Sequence, residues 1–344
     1  MKAEKREMVE LFRKELALCG VEPGVRVAVL SEGAILRDYA EAFMAAGREL
    51  GSEIEDVNLG GDRAMSAGER IAQLGTSALT GDTAAMESLK QVDLVVDLML
   101  LLFSKEQVEL QESGVRMLLA VEPFEVLKRL FPTVETRARV EAGERRLAGA
   151  EQLRFTNGAG TDVTYTLGDR PILTEYGYTD TPGRWDHWPS GFLATVAVPG
   201  GVEGRVVMDR GDILLPQMKR LEAPIEFTIE RGRVAGIRGG KEASELRTYI
   251  EAYGDPRAYD VSHIGWGLNE RAEWTVDRPG IGMDSRAHYG NVLFSLGPDI
   301  EFGGSNDTPC HLDLPMKGCT LSLDEEVIVE DGRVVPEEMQ APRA

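Results

Sequence analysis

Between residues 25 and 121 the chain alternates short apolar runs with helix-like stretches, and no other feature restricts its fold as much. Strands are expected at Val25–Leu30, Glu53–Leu59, Asp93–Leu102 and Arg116–Val121. Helices are expected at 4–18, 35–50, 83–91 and 106–112. In the first of these, Met8, Leu11, Phe12 and Leu16 fall at helical spacing and Gly20 follows as a stop. Strands alternating with helices imply right-handed βαβ crossovers and a mainly parallel sheet. Residues 60–77, with four glycines, are expected as a loop carrying a short helix. The first strand-to-helix turn, Ser31-Glu32-Gly33, holds one glycine, so the G-x-G-x-x-G dinucleotide fingerprint is absent. No phosphate-binding G-x-x-x-x-G-K-[ST] occurs either, and this half reads as a scaffold.

Helices at 124–131 and 135–147 lead out of this half, and past residue 150 the pattern changes to short strands around turn residues. Three hairpins are expected, turning at Asn157-Gly158, Gly211-Asp212 and Arg231-Gly232-Arg233. A helix at 241–253 follows, with strands at Val261–Gly265, Asn291–Ser295, His311–Leu314 and Glu326–Val335. The expected fold class is α/β. An N-terminal parallel-sheet βαβ domain (1–149) precedes a β-rich α+β catalytic domain (150–344).

A formal charge of −20 argues against a nucleic-acid or anionic-membrane surface. No run of eighteen apolar residues is present, and residues 1–13 lack the apolar core of a signal peptide. Three cysteines (Cys19, Cys310, Cys319) are too few for a disulfide framework, which fits a cytoplasmic enzyme. Cys310 alternates away from His311 and reads as a packed residue.

The chain has four histidines, and one stands in Cys310-His311-Leu312-Asp313. In a strand, residues two apart share a face, so His311 and Asp313 would present an imidazole and a carboxylate together. One further imidazole would complete the two-histidine, one-carboxylate set of non-haem Fe(II) oxygenases. His263 is one source: it lies in Val261-Ser262-His263-Ile264-Gly265-Trp266-Gly267, whose glycines would admit close approach of another group. His187 is another, in the loop-like run Gly183-Arg184-Trp185-Asp186-His187-Trp188-Pro189. His288 reads as a helix-surface residue.

These segments, together with Glu175-Tyr176-Gly177-Tyr178, Thr80-Gly81-Asp82-Thr83-Ala84 and Leu119-Ala120-Val121-Glu122-Pro123, resemble the 2,5-dihydroxypyridine 5,6-dioxygenase family over nearly the whole chain. The resemblance implies that His263, His311 and Asp313 hold one Fe(II), with Glu175 and His187 in the substrate pocket. It implies insertion of both atoms of O2 between C5 and C6 of the pyridine ring, giving N-formylmaleamate. It also implies a homo-oligomer, a hexamer, and the apolar run Val95–Leu102 is expected to serve assembly. His187 is the expected base, Glu175 orients it or binds the ring N–H, and Trp185 and Trp188 sandwich the heterocycle. The family carries a histidine where this chain has Phe103, expected at the substrate, and a phenyl ring cannot move a proton. The family is distantly similar to metalloaminopeptidases of the aminopeptidase T type, which share the His-x-Asp strand. The peptidase pattern would place a metal-binding glutamate where this chain has Phe192. The competing readings are therefore such a peptidase, a dioxygenase for a related hydroxylated N-heterocycle, or a binding module that has kept the fold.

Overall fold

Parallel pairing of buried apolar strands organises the first part of the chain. The computed structural model describes residues 3–60, 77–215, 217–278 and 280–342. The expected loop at 60–77 lies largely outside them. By internal contacts the chain divides into two units: residues 1–132 with 176–190, and residues 133–175 with 191–344.

In the first unit five strands form one sheet in the order Glu53–Asn58, Arg26–Ser31, Leu94–Asp97, Arg116–Leu119, Trp185–His187, every neighbouring pair parallel. The inner strands are apolar and buried on both faces, as a sheet covered by helices requires. The edge strand Glu53–Asn58 is mostly exposed and carries Glu53, Glu55 and Asp56, which discourages pairing with another chain. Helix Ala3–Leu18 buries Phe12, which stacks on Phe43 at 4.1 Å between centroids. Side-chain caps start two of the crossover helices: Asp82 accepts from Ala85 N–H and Ser104 from Gln107 N–H.

The long strand expected at Asp93–Leu102 stops at Asp97. Its buried carboxylate accepts hydrogen bonds from the N–H groups of Met99 (2.7 Å) and Leu101 (2.8 Å), which curls the chain into a turn. Leu100 and Phe103 adopt φ of 64° and 56° there. Residues 95–102 are buried, so this run offers no apolar surface for assembly and that part of the expectation is corrected. Asp97→Ala would strip the acceptor from two buried N–H groups, at about 1–3 kcal/mol for each. Urea unfolding should show the loss, and a change under ~1 kcal/mol would contradict this account of the turn.

The run around His187 is a strand, Trp185–His187, and belongs to the first unit. From sequence the run reads as a loop of the second domain, and the structure corrects both points. Nor does the chain divide at 149/150: helix Val134–Leu147 and the strands after it go with the second unit.

The second unit holds an eight-stranded sheet and a five-stranded sheet, both antiparallel throughout. They meet through residues such as Phe227 and Phe294, whose rings lie 5.6 Å apart. The hairpins at Asn157-Gly158 and Arg231-Gly232 form. Arg231 and Gly232 both have positive φ (52° and 77°), as a tight hairpin turn demands. The hairpin expected at Gly211-Asp212 does not form. Val202–Met208 pairs with Ile225–Glu230 and Asp162–Thr166, while Ile213–Leu214 pairs with Lys219–Arg220. Asp212 explains the departure: its carboxylate accepts from Asp209 N–H at 2.8 Å and Lys317 N–H at 3.0 Å, turning the chain out of the large sheet. Among the described residues no helix is long and apolar enough to cross a membrane.

Candidate metal centre

The five-stranded sheet of the second unit runs in the order Leu312–Met316, Val292–Leu296, Val261–Gly267, Phe192–Thr195, Leu173–Glu175. His263 stands on its central strand, Asp313 on an edge strand, and His311 one residue before that strand. Asp313 is the register partner of Ser295 on the strand between them. The His-x-Asp spacing therefore works at the mouth of a strand rather than within it.

His263, His311 and Asp313 converge, each offering a ligand atom within 4.8 Å of the others, and all three are buried. His263 Nε2 lies 3.1 Å from Asp313 Oδ1, and His311 Nε2 lies 3.0 Å from Asp313 Oδ2. The imidazoles lie near-parallel, 5.5 Å between centroids, and Phe302 stacks on the outer face of His263 at 5.6 Å. No other His, Cys, Asp or Glu joins the group among the described residues.

The surroundings set protonation. Ser262 Oγ donates to the Pro298 carbonyl, so toward His263 Nδ1, 3.3 Å away, it can only accept. That matches a proton on Nδ1 to Ser262 and turns Nε2 toward the carboxylate. Burial lowers the His311 pKa against the pull of Asp313, favouring the neutral ring. Burial alone would raise Asp313, but His311, Arg286 and His263 hold it well below the usual carboxylate range. Neutral imidazoles and an ionised carboxylate are the forms that bind metal, so the donor set fits a divalent ion with N/O preference.

Two neighbours of Asp313 were not foreseen from sequence. Arg286, buried at the end of the short helix Met283–Arg286, places Nε 2.7 Å from Oδ2. Ser295 Oγ lies 3.0 Å from Oδ1 and 2.9 Å from the Leu312 carbonyl, and its one proton serves either. The glycines flanking the histidine strand have another purpose than the one expected. A Cβ on Gly265 would lie 2.2 Å from the Leu193 carbonyl oxygen, and one on Gly267 would lie 2.3 Å from that of His288. They admit neighbouring backbone, not a ligand. His288 is half-buried in a bridge to Asn269, with Nδ1 2.9 Å from the Ala272 carbonyl, not on a helix surface.

Glu175 ends the strand Leu173–Glu175 of the second unit and is buried. His187 ends the last parallel strand of the first unit, in register with Leu119. The carboxyl ends of parallel strands are where open α/β sheets bind ligands, which suits a functional imidazole. Phe103 follows from the same edge of that sheet, buried in the turn after Asp97. Trp185 lies 6.2 Å from His187 between ring centroids. Trp188 has no exposed surface: Phe12 and Phe131 meet its ring edge-on at 5.5 and 5.9 Å. Its ring is core packing, which corrects the expected sandwich.

A family model described as NicX: 2,5-dihydroxypyridine 5,6-dioxygenase matches residues 7–336. A 2,5-dihydroxypyridine 5,6-dioxygenase of Pseudomonas putida KT2440 is 44% identical over 349 residues, covering 99% of this chain and 100% of that protein. A solved structure of 2,5-dihydroxypyridine dioxygenase from the same organism has a TM-score of 0.94 at 43% identity, covering 98% of this chain and 99% of that one. Wild-type AmpT from Thermus thermophilus has a TM-score of 0.60 at 15% identity, covering 97% and 100%. At that identity the likeness is one of fold alone.

Proposed function

This chain belongs to the 2,5-dihydroxypyridine 5,6-dioxygenase family, and from that premise we propose that it is an Fe(II)-dependent, extradiol-type dioxygenase. It opens 2,5-dihydroxypyridine between C5 and C6. Both oxygen atoms of O2 enter the product, N-formylmaleamate. The observation that carries this reading is the approach of two buried imidazoles to opposite oxygens of one buried carboxylate.

His263, His311 and Asp313 would hold the iron. Bound there, Fe(II) supplies the redox chemistry that lets O2 react with an electron-rich ring. The protein's share is to hold the ring, exclude water and manage protons. His187 takes the proton of the 5-hydroxyl group, a task an imidazole performs near neutral pH. Glu175 binds the ring N–H, and Trp185 flanks the ring. Phe103, where the family resemblance implies histidine, shapes the pocket without carrying a proton. In this reading the second unit carries the metal ligands and Glu175, and the first carries His187, Trp185 and Phe103.

Ser295→Ala removes a hydroxyl beside Asp313 Oδ1 and should weaken Fe(II) binding about 10-fold, the lower end for an outer partner of a metal ligand. Anaerobic titration checks it; unchanged affinity would show that the hydroxyl bonds only the Leu312 carbonyl. The enzyme is further proposed to be a cytoplasmic homo-oligomer on family grounds, and a monomer mass by light scattering at micromolar protein would remove that part.

Among the described residues the cluster holds no second carboxylate for the peptidase reading, and Phe192 cannot supply one. An oxygen electrode separates the classes. Protein reconstituted anaerobically with Fe(II) should consume O2 on addition of 2,5-dihydroxypyridine. A peptidase would consume none and would release amino acids from short peptides. A binding module would do neither.

A further inference from the structure

Asp186 sits between Trp185 and His187 on the edge strand of the parallel sheet, wholly buried. Its Oδ1 accepts hydrogen bonds from the N–H groups of Gly177 and His187, each at 2.8 Å. Its Oδ2 accepts from Tyr176 N–H at 3.2 Å and from the Arg184 guanidinium at 2.6 Å. Arg184 in turn lies over the Tyr176 ring, 4.0 Å from its centroid. A buried carboxylate is costly unless its lone pairs are satisfied, and this one is satisfied by three backbone donors and a cation. Neighbouring residues of a strand point to opposite faces, so Asp186 cannot share a face with the His187 ring. Any influence on that ring passes through the backbone.

We propose that Asp186 is a positioning residue for His187: its carboxylate ties the His187 backbone to Tyr176-Gly177, so that the imidazole is presented in one orientation. The inference rests on the reading of His187 as the base. Charge in the surroundings agrees with it. Burial pushes Asp186 up to about 6 against the pull of Arg184, leaving it ionised at neutral pH. Glu15, wholly buried on helix Ala3–Leu18, is pushed well above the usual carboxylate range by burial and then by the Asp186 charge.

A double-mutant cycle on the iron-reconstituted enzyme tests this. Asp186→Asn keeps an acceptor toward Gly177 and His187 but turns an amide N–H2 toward Tyr176 N–H and Arg184. Expected is a fall in kcat of about 10–100-fold, the scale of a small misplacement of a catalytic group. KM, iron content and far-UV circular dichroism should not change. In a His187→Ala background the same substitution should leave kcat unchanged. An equal fall in both backgrounds would mean a merely structural role and overturn the proposal. If His187→Ala alone keeps wild-type kcat, the base reading itself has failed, and positioning fails with it. Hydrogen exchange on the wild-type protein needs no variant: the Gly177 and His187 amides should exchange as slowly as those of Leu94–Asp97, and fast exchange at both would also overturn it.

Discussion

Asp313→Ala is expected to abolish stoichiometric iron binding. Asp313 is the one carboxylate of the triad and stands within 3.1 Å of both histidines. Its loss removes a ligand and the charge that offsets a divalent cation. The affinity should therefore fall by more than the roughly 10–100-fold typical of an outer partner. The substitution also leaves the Arg286 guanidinium buried without its partner, and breaking such a pair destabilises by about 3–5 kcal/mol. Asp313→Asn, of the same shape, is the companion variant that separates lost ligation from lost folding. Iron per chain after anaerobic desalting, with circular dichroism alongside, is the measurement. A folded variant that retains one iron would show that the metal is held elsewhere.

His187→Ala should behave in the opposite way, keeping its iron and slowing ring cleavage by about 10²–10⁴-fold, the usual worth of a positioned acid–base group. The triad is complete without His187, which ends a strand of the other unit. His187→Gln tests the bland alternative, in which the side chain only fills space. If both variants turn over near the wild-type rate, the acid–base role is wrong. If either loses iron while folded, His187 is a ligand and the triad is misassigned.

What could be read from the sequence follows from how local each signal is. The parallel sheet was legible because strands buried on both faces are continuous apolar runs, as at Arg26–Ser31 and Arg116–Leu119. The early end of the Leu94–Asp97 strand was written in one residue, the only charge in an apolar run, but its meaning depends on hydrogen bonds that Asp97 makes forward along the chain. Trp185–His187 was missed as a strand because three residues carry no period, and their partner, Arg116–Leu119, is far away in sequence. At the site, alternation paired His311 with Asp313, although the strand starts only at Leu312. Choosing between His263 and His187 needed the pairing of Val261–Gly267 with Val292–Leu296, and of that strand with Leu312–Met316. Ser295 could have been found as a cross-strand partner of Asp313 once the register was known. Arg286 had no local signal, since a four-residue helix delivers it to the carboxylate.

The most direct test of the central claim is product analysis under oxygen-18 gas, using protein reconstituted with Fe(II) and supplied with 2,5-dihydroxypyridine. The account predicts N-formylmaleamate bearing both labelled atoms, formed one for one with O2 consumed and absent from Asp313→Asn protein. Product carrying one labelled atom or none, or ring opening without O2 uptake, would contradict it.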